Sequence, residues 1–504
     1  MSVGAAARTG PFYQLGKKCL GISMELHVVN RQRLCRRLQD KWERLISQNA
    51  APTPTLKGVF ILLQGGSDTY HGDSDAANVF RQESFFHWAF GALEPDWYGA
   101  IEISTARTIL FVPRIPDAVA LYDGKPATPS EVAKKYSTEG CFYADELVDR
   151  LKQWDTTLLL TLRGMNTDSG RMTVEASFPG IEHFKVNNEL LHPEIVECRL
   201  YKTKMELEVL RYANRISSAA HRHLMRCVKP GMHEFEAESI FLHYCYFHGG
   251  MRHVAYTCIG ASGCNCAILH YGHAGSPNER LIEDGDMCLF DMGGEYYCYT
   301  SDITCSYPVN GRFTSDQKII YEAVLAASRA VLNAAKPGAD WVKLHQLAEE
   351  NILSRLLQAG LLRGDLAKMM KERLGAVFMP HGLGHLMGCD VHDVGGYTQD
   401  SPARPTAVGL RNLRTARILQ PNMVITVEPG CYFIDQLLDE ALQSPKLSPF
   451  LVPEALQRFR KFGGVRIEDN IVITEAGNEL LTDVPRTIEE IEQWMSSPAV
   501  DARL

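Results

Sequence analysis

The rhythm of apolar and polar positions changes near residue 200 of the 504-residue chain. Before that point the elements are short. Asn30–Leu45 carries Leu34, Leu38 and Trp42 on one stripe, the spacing of a helix. Lys57–Leu63 is a nearly continuous apolar run ended by Gly65-Gly66, which predicts a buried strand. Gly99–Val112 alternates like a hairpin, Glu131–Trp154 predicts a broken helix, and Thr156–Leu162 a further strand. Arg81-Gln82-Glu83-Ser84-Phe85-Phe86-His87-Trp88 is dense in polar and aromatic residues and reads as a packed loop or interface. No catalytic cluster emerges in this half.

Beyond residue 200 the periods lengthen. Thr203-Lys204-Met205-Glu206 is a capping box. Leu210, Ala213, Ile216, Ala220 and Leu224 keep helical spacing after it, and the helix stops at Lys229-Pro230-Gly231. A second helix follows to Gly249-Gly250. About 107 residues on, the pattern recurs: Thr314-Ser315-Asp316-Gln317 opens a helix, Lys336-Pro337-Gly338 ends it, and another runs to Gly360. Strand-like runs containing carboxylates follow each pair. The repeat implies an internal duplication, whose facing halves would make a natural two-metal site at their junction. The predicted class is α/β (α+β), with a mixed α/β domain over 1–199 and a duplicated domain over 200–504.

Composition narrows the function. Apolar residues make up 45% and charged residues 22%, so the chain is globular and can bury a large core. Net charge is −8; residues 1–199 hold 22 basic against 24 acidic groups, and 200–504 hold 30 against 36. Neither part has the basic excess that a nucleic-acid partner requires. No apolar run approaches the length of a membrane span. The start, MSVGAAARTG, lacks a signal-peptide core, and Ser2 excludes N-myristoylation. Nine basic and three acidic groups in residues 1–50 fit a surface helix better than a transit peptide. The 14 cysteines include no CxxC and read as reduced, buried hydrophobes.

The chemistry lies in carboxylates and histidines. Asp291 closes the apolar run Leu289-Phe290 and is followed by Met292-Gly293-Gly294; Asp302 lies eleven residues on. A hairpin can bring the two onto one face, where they repel unless a cation lies between them. Either Asp alone reads equally well as a turn residue. His381-Gly382-Leu383-Gly384-His385 and Asp390-Val391-His392 place three histidines in a Gly-rich stretch, the pattern of a metal or catalytic loop. Glu428 ends the buried run Val424-Ile425-Thr426-Val427, where a charge needs a partner. In Gly464–Asn470 the alternation puts Arg466 and Glu468 on one face. Asp291, Asp302, His385, Glu428 and Glu468 together carry a charge of −4, which two divalent cations neutralise and one does not. Oxygen-rich ligation suits Mn²⁺, Fe²⁺ or Co²⁺ better than a structural zinc site.

At these residues the chain resembles the pita-bread metallopeptidase family, and within it the eukaryotic-type prolidases, or Xaa-Pro dipeptidases. The likeness runs from Asn30-Arg31-Gln32-Arg33-Leu34 to Val484-Pro485-Arg486-Thr487. It includes RQESFFHWAFG (81–91), LHYGHAG (269–275), FMPHGLGHLMG (378–388) and Phe462–Asp469. The resemblance implies a C-terminal pita-bread domain with an internal pseudo-twofold repeat, and an N-terminal domain that roofs the site and joins a homodimer. It implies hydrolysis of Xaa-Pro dipeptides by a hydroxide held between two divalent ions, Mn²⁺ foremost, in a cytoplasmic enzyme. Asp291 would bind one ion, Asp302 and Glu468 would bridge, and His385 and Glu428 would complete the second. Glu428 would also be the general base. His270 and His392 would serve the scissile carbonyl. Tyr256, His381, Arg414 and Arg466 would bind substrate with them, Arg414 near its carboxylate. Gly260-Ala261-Ser262-Gly263-Cys264-Asn265-Cys266 departs from the family's more polar, thiol-free stretch before His270. With Cys389 it raises soft ligands or oxidisable thiols near the metals.

An Xaa-Pro bond is a tertiary amide, so a site that grips the amide N–H cannot serve it, whereas attack by metal-held hydroxide can. Two other readings share the fold: an Xaa-Pro aminopeptidase acting on longer peptides, and a non-catalytic binding protein, which the intact ligand set argues against. A serine hydrolase fails because Gly260-Ala261-Ser262-Gly263 is not GxSxG.

Overall fold

A computed structural model describes residues 10–497; Ser2 and its neighbours up to Thr9 lie outside the described residues. The chain divides into two units, Met1–Glu206 and Leu207–Leu504.

The N-terminal unit is built on a six-stranded mixed sheet. Its order is Gly140–Tyr143, Thr108–Val112, Tyr98–Glu102, Val59–Gln64, Leu158–Thr161 and Val186–Asn187. The predicted hairpin forms, with Ala100 opposite Ile109 in an antiparallel pair. Val59–Gln64 runs parallel to Leu158–Thr161 and antiparallel to Tyr98–Glu102, so the strand lies between two partners and is apolar and buried from Val59 to Leu63. Phe60, Leu62, Phe111 and Leu159 form the core with Leu147 and Leu151. The Leu34–Leu38–Trp42 stripe belongs to a longer helix, Glu25–Ser47.

Two expectations are corrected here. Glu131–Trp154 is not one broken helix: Pro129–Lys135 and Leu147–Gln153 are helical, and Gly140–Tyr143 between them is an edge strand parallel to Thr108–Val112. Arg81–Trp88 is not a loop, since Ser84–Phe90 is a helix. The Glu83 carboxylate caps it by accepting from the Phe86 N–H at 2.8 Å, and Gly91 ends it in the left-handed conformation at φ 69°. All seven residues are buried, so the helix shows no polar face to the eye.

In the C-terminal unit the order of elements repeats. Helices Lys204–Cys227 and Glu234–Gly249 precede an antiparallel sheet of Ile259–Ser262, Met287–Asp291 and Thr304–Pro308. Helices Ser315–Ala334 and Trp341–Gln358 precede a sheet of Val424–Val427, Asp469–Ile473 and Asn478–Leu480. Both predicted capping boxes are present: Thr203 and Glu206 exchange side-chain and backbone bonds, as do Thr314 and Gln317. Between Asp291 and Thr304 the chain adds a small hairpin, Gly294–Tyr296 with Tyr299–Thr300, turned at Tyr297 and Cys298. Both turn residues have positive φ, 52° and 54°, the I′ geometry that matches strand twist. Gly464–Asn470 is corrected from one strand to two. Gly464–Arg466 pairs with Gly430–Tyr432, Asp469–Ile473 pairs with Val424–Val427, and the chain breaks at Ile467-Glu468. Among the described residues no helix is long and apolar enough to cross a membrane.

Candidate metal centre

Strand ends deliver the acidic groups. Asp291 is the last residue of Met287–Asp291 and lies opposite Thr304, two residues after Asp302. Glu428 follows Val424–Val427, and Glu468 occupies the break between Gly464–Arg466 and Asp469–Ile473. His385 comes from the Gly-rich loop. A side chain at Gly384 would stand 2.1 Å from the Thr426 carbonyl, so only glycine lets the loop approach that strand. A side chain at Gly396 would meet the Arg414 carbonyl at the same distance.

The backbone then fixes the imidazole. The His385 N–H donates to Thr426 Oγ1 at 3.0 Å, and Nδ1 lies 3.1 Å from the Leu386 carbonyl. A carbonyl only accepts, so Nδ1 carries the proton and Nε2 is a bare lone pair. That lone pair faces Asp302 Oδ2 at 3.2 Å and Glu428 Oε1 at 3.6 Å. Burial holds His385 down at about 4, so a second proton does not relieve the contact near neutral pH. Asp302, His385 and Glu468 offer ligand atoms all within 4.8 Å of one another, and all three are buried.

Arg466 and Arg414 act on this group, but burial and the mutual repulsion of the carboxylates outweigh them. Burial, then Asp291 and Glu428, pushes Asp302 well above the usual carboxylate range. Burial, then Asp302 and Asp291, does the same to Glu468, and burial, then Glu468, to Glu428. Asp302 Oδ1 is buried without a hydrogen-bond partner. A neutral imidazole and converging carboxylates with an orphaned oxygen are the donor set a divalent cation takes. Asp291 has partners of its own: Oδ1 accepts from the Tyr256 hydroxyl at 2.6 Å and Oδ2 from the Arg466 guanidinium at 2.5 Å. Burial, then Asp291, raises the Tyr256 phenol well above its ordinary value, so it stays a donor.

The other expected residues surround this group. His392 is exposed and packs its ring edge-on to His385, 4.4 Å between centroids. His381 is half-buried, its Nε2 3.0 Å from the Tyr432 hydroxyl and its Nδ1 4.0 Å from Glu428 Oε2; burial lowers it to about 3. His270 keeps an open face, and partial burial, then Arg466 and Arg414, lowers its pKa. Half-buried Arg414 also acts electrostatically on His385 and Glu428. Cys264 is exposed, Cys266 points its Sγ at the Met287 carbonyl at 3.3 Å, Cys389 is buried, and all fourteen cysteines are unbridged. No cysteine joins the ligand group among the described residues.

Sequence reasoning overlooked several supports. Thr304 Oγ1 accepts from Arg466 Nε at 3.0 Å and donates to Glu468 Oε2 at 2.7 Å. Its position two residues beyond Asp302 was the available signal. The Tyr432 hydroxyl accepts from Arg466 at 2.9 Å. On helix Lys204–Cys227 the apolar stripe hid a buried polar one. His221 Nε2 bonds the Met292 carbonyl, Ser217 bonds Ser301 and Gly294, and Asn214 accepts from Asn470.

The chain is similar to known proteins over nearly its whole length. Residues 208–475 match the model of metallopeptidase family M24, and residues 27–157 that of the aminopeptidase P N-terminal domain. The chain is 56% identical to the Xaa-Pro dipeptidase of Homo sapiens over 491 residues, 97% of each chain, and 55% identical to that of Rattus norvegicus over the same shares. Zn-substituted aminopeptidase P of E. coli in complex with product superimposes with a TM-score of 0.74 at 28% identity, covering 94% of this chain and 98% of that one. The C-terminal unit therefore has the pita-bread fold, and the chain belongs to metallopeptidase family M24.

Proposed function

We propose that this chain hydrolyses Xaa-Pro dipeptides in a metal-dependent reaction. The observation that carries the reading is the bare His385 Nε2 facing Asp302 and Glu428 carboxylate oxygens, an arrangement that calls for a cation. The relatives named Xaa-Pro dipeptidase supply the substrate class. Asp302, His385, Glu428 and Glu468 would hold two divalent ions with Asp291, and Mn²⁺ suits this oxygen-rich set. Bound there, the ions would make water nucleophilic near neutral pH and polarise the scissile carbonyl.

The chain's own residues do the rest. Glu428 accepts the proton of the attacking water and returns it to the departing proline nitrogen, which cannot leave as an anion. His270 and His392 donate to the carbonyl oxygen as charge develops on it. Tyr256, with its proton held, keeps Asp291 oriented, and Arg466 holds the same carboxylate from the other side. His381 lines the substrate pocket. Arg414 presents a planar fork to the free carboxylate, which restricts the enzyme to dipeptides. Residues 200–504 carry the chemistry; 1–199 serve size selection and homodimerisation in a cytoplasmic enzyme. A second reading, an aminopeptidase acting on longer peptides, draws on the match to aminopeptidase P.

Elemental analysis of freshly purified protein, with Gly-Pro and Gly-Pro-Xaa compared as substrates, tests both. The expected result is two equivalents of metal and turnover of Gly-Pro alone. Preferential cleavage of the tripeptide would establish the aminopeptidase reading instead.

A further inference from the structure

Arg486 lies 18 residues beyond Glu468 and far along the chain from the other ligand candidates, in the segment Val484-Pro485-Arg486-Thr487. It is nonetheless one of the most buried charges in the protein, 3% exposed. Its guanidinium reaches four groups, one of them the Cys305 Sγ at 3.7 Å from Nη1. Nη1 donates to the Thr304 carbonyl at 2.7 Å. Nη2 donates to the Glu468 carbonyl and to Asp469 Oδ1, the latter at 2.7 Å. Nε donates to the same Asp469 oxygen at 3.1 Å. Asp469 is itself buried, and the Tyr321 hydroxyl donates to the Arg486 carbonyl at 2.8 Å.

These contacts join the two halves of the repeat. Thr304 opens a strand of the first half two residues after Asp302, and Glu468 and Asp469 belong to the second half. The Thr304 carbonyl also accepts from the Glu468 N–H at 3.2 Å, and its hydroxyl donates to the Glu468 side chain. The backbone under Asp302 and the backbone of Glu468 are thus pinned to each other at one carbonyl, and Arg486 closes the triangle from behind. Two crowded carboxylates repel, so without a clamp the backbone segments that bear them would relax apart. A guanidinium suits the task because its fork reaches several acceptors in one plane, which a lysine cannot do.

We infer that Arg486 is a positioning residue that fixes the spacing of Asp302 and Glu468 and so sets the affinity of the metal site. The inference rests on the metal reading proposed above. The test titrates Mn²⁺ calorimetrically into the metal-free full-length protein, for the wild type, Arg486→Lys and Tyr321→Phe. Melting temperatures are recorded with and without Mn²⁺. Loss of an outer support of this kind weakens metal binding by roughly 10–100-fold. Arg486→Lys should show that loss while remaining folded when metal-free, with a smaller loss in Tyr321→Phe and an unchanged KM for Gly-Pro at saturating Mn²⁺. Wild-type Mn²⁺ affinity in a folded Arg486→Lys protein would overturn the inference. If Arg486→Lys does not fold, unaltered affinity in Tyr321→Phe overturns it. A wild type that binds no Mn²⁺ would defeat the metal reading itself, a separate outcome.

Discussion

Glu194 and Glu206, buried carboxylates of the N-terminal unit, find their partners at home. Glu194 meets Arg37 and Lys41, each at 2.9 Å; Glu206 accepts from Trp88 Nε1 at 2.9 Å and from the Thr203 N–H, with Arg33 at 3.6 Å. Asp302, Glu428 and Glu468 of the C-terminal unit crowd one another instead, and each is pushed toward its protonated form. The first pattern is charge that the fold satisfies by itself. The second is a debt left open, and such violations of local consistency mark functional sites. The contrast separates an acidic residue that stabilises from one that waits for a ligand.

The largest test of that contrast removes one of the crowded charges. Asp302→Asn should abolish hydrolysis of Gly-Pro, while the metal-free protein keeps or gains melting temperature because a repulsion is relieved. A fall in metal-free stability like that of a broken ion pair would erase the distinction between the units. Arg466 is the opposite case, a buried cation bonded to Asp291, Tyr432 and Thr304. Arg466→Met leaves Asp291 uncompensated and should cost about 3–5 kcal/mol in urea unfolding. Glu194→Gln, whose partner Arg37 is 42% exposed, should cost no more than about 1 kcal/mol.

Arg414 lies between these extremes. Arg414→Ala should mainly raise KM, by the roughly 1.5–3 kcal/mol of a lost charged hydrogen bond. Equal turnover of Gly-Pro and Gly-Pro-amide by the wild type would remove carboxylate capture from the account. A pH effect of modest size belongs to the N-terminal unit. Burial lowers His27 to about 3, against an ordinary value of 6.5. Between those values the unfolded chain binds the proton and the folded one does not, so stability is lost as pH falls below 6.5. Between pH 7.5 and 5 the loss should be on the order of 1–2 kcal/mol, and His27→Gln should flatten it. An unchanged pH slope in that variant would assign the acid sensitivity to other groups.

What was legible in the sequence was local. Thr314 and Gln317 announce a helix start three residues apart, and the Gly99–Val112 alternation is a hairpin because both strands lie within it. The buried helix Ser84–Phe90 was not legible, since a helix buried on every side presents no solvent-facing stripe to set a period and Glu is an uncommon cap. Phe85 and Trp88 therefore belong to the core rather than to an interface loop. Gly140–Tyr143 escaped because a four-residue edge strand gains its identity only from Thr108–Val112 beside it. At the site, the acidic and imidazole candidates could be gathered by type. The supports could not: Arg486 acts on Thr304 across 182 positions, and Asn214 on Asn470 across 256. Contacts of that range are set by tertiary packing and leave no spacing to read.

The central claim is that the C-terminal unit gathers more negative charge than its own cations offset, and that added divalent cations take up the rest. It is tested most directly by chelating the protein to a metal-free state, assaying Gly-Pro hydrolysis, and adding Mn²⁺ back stepwise. The account predicts no turnover without metal and full recovery as two equivalents bind. Cleavage at the full rate by verified metal-free protein would contradict it.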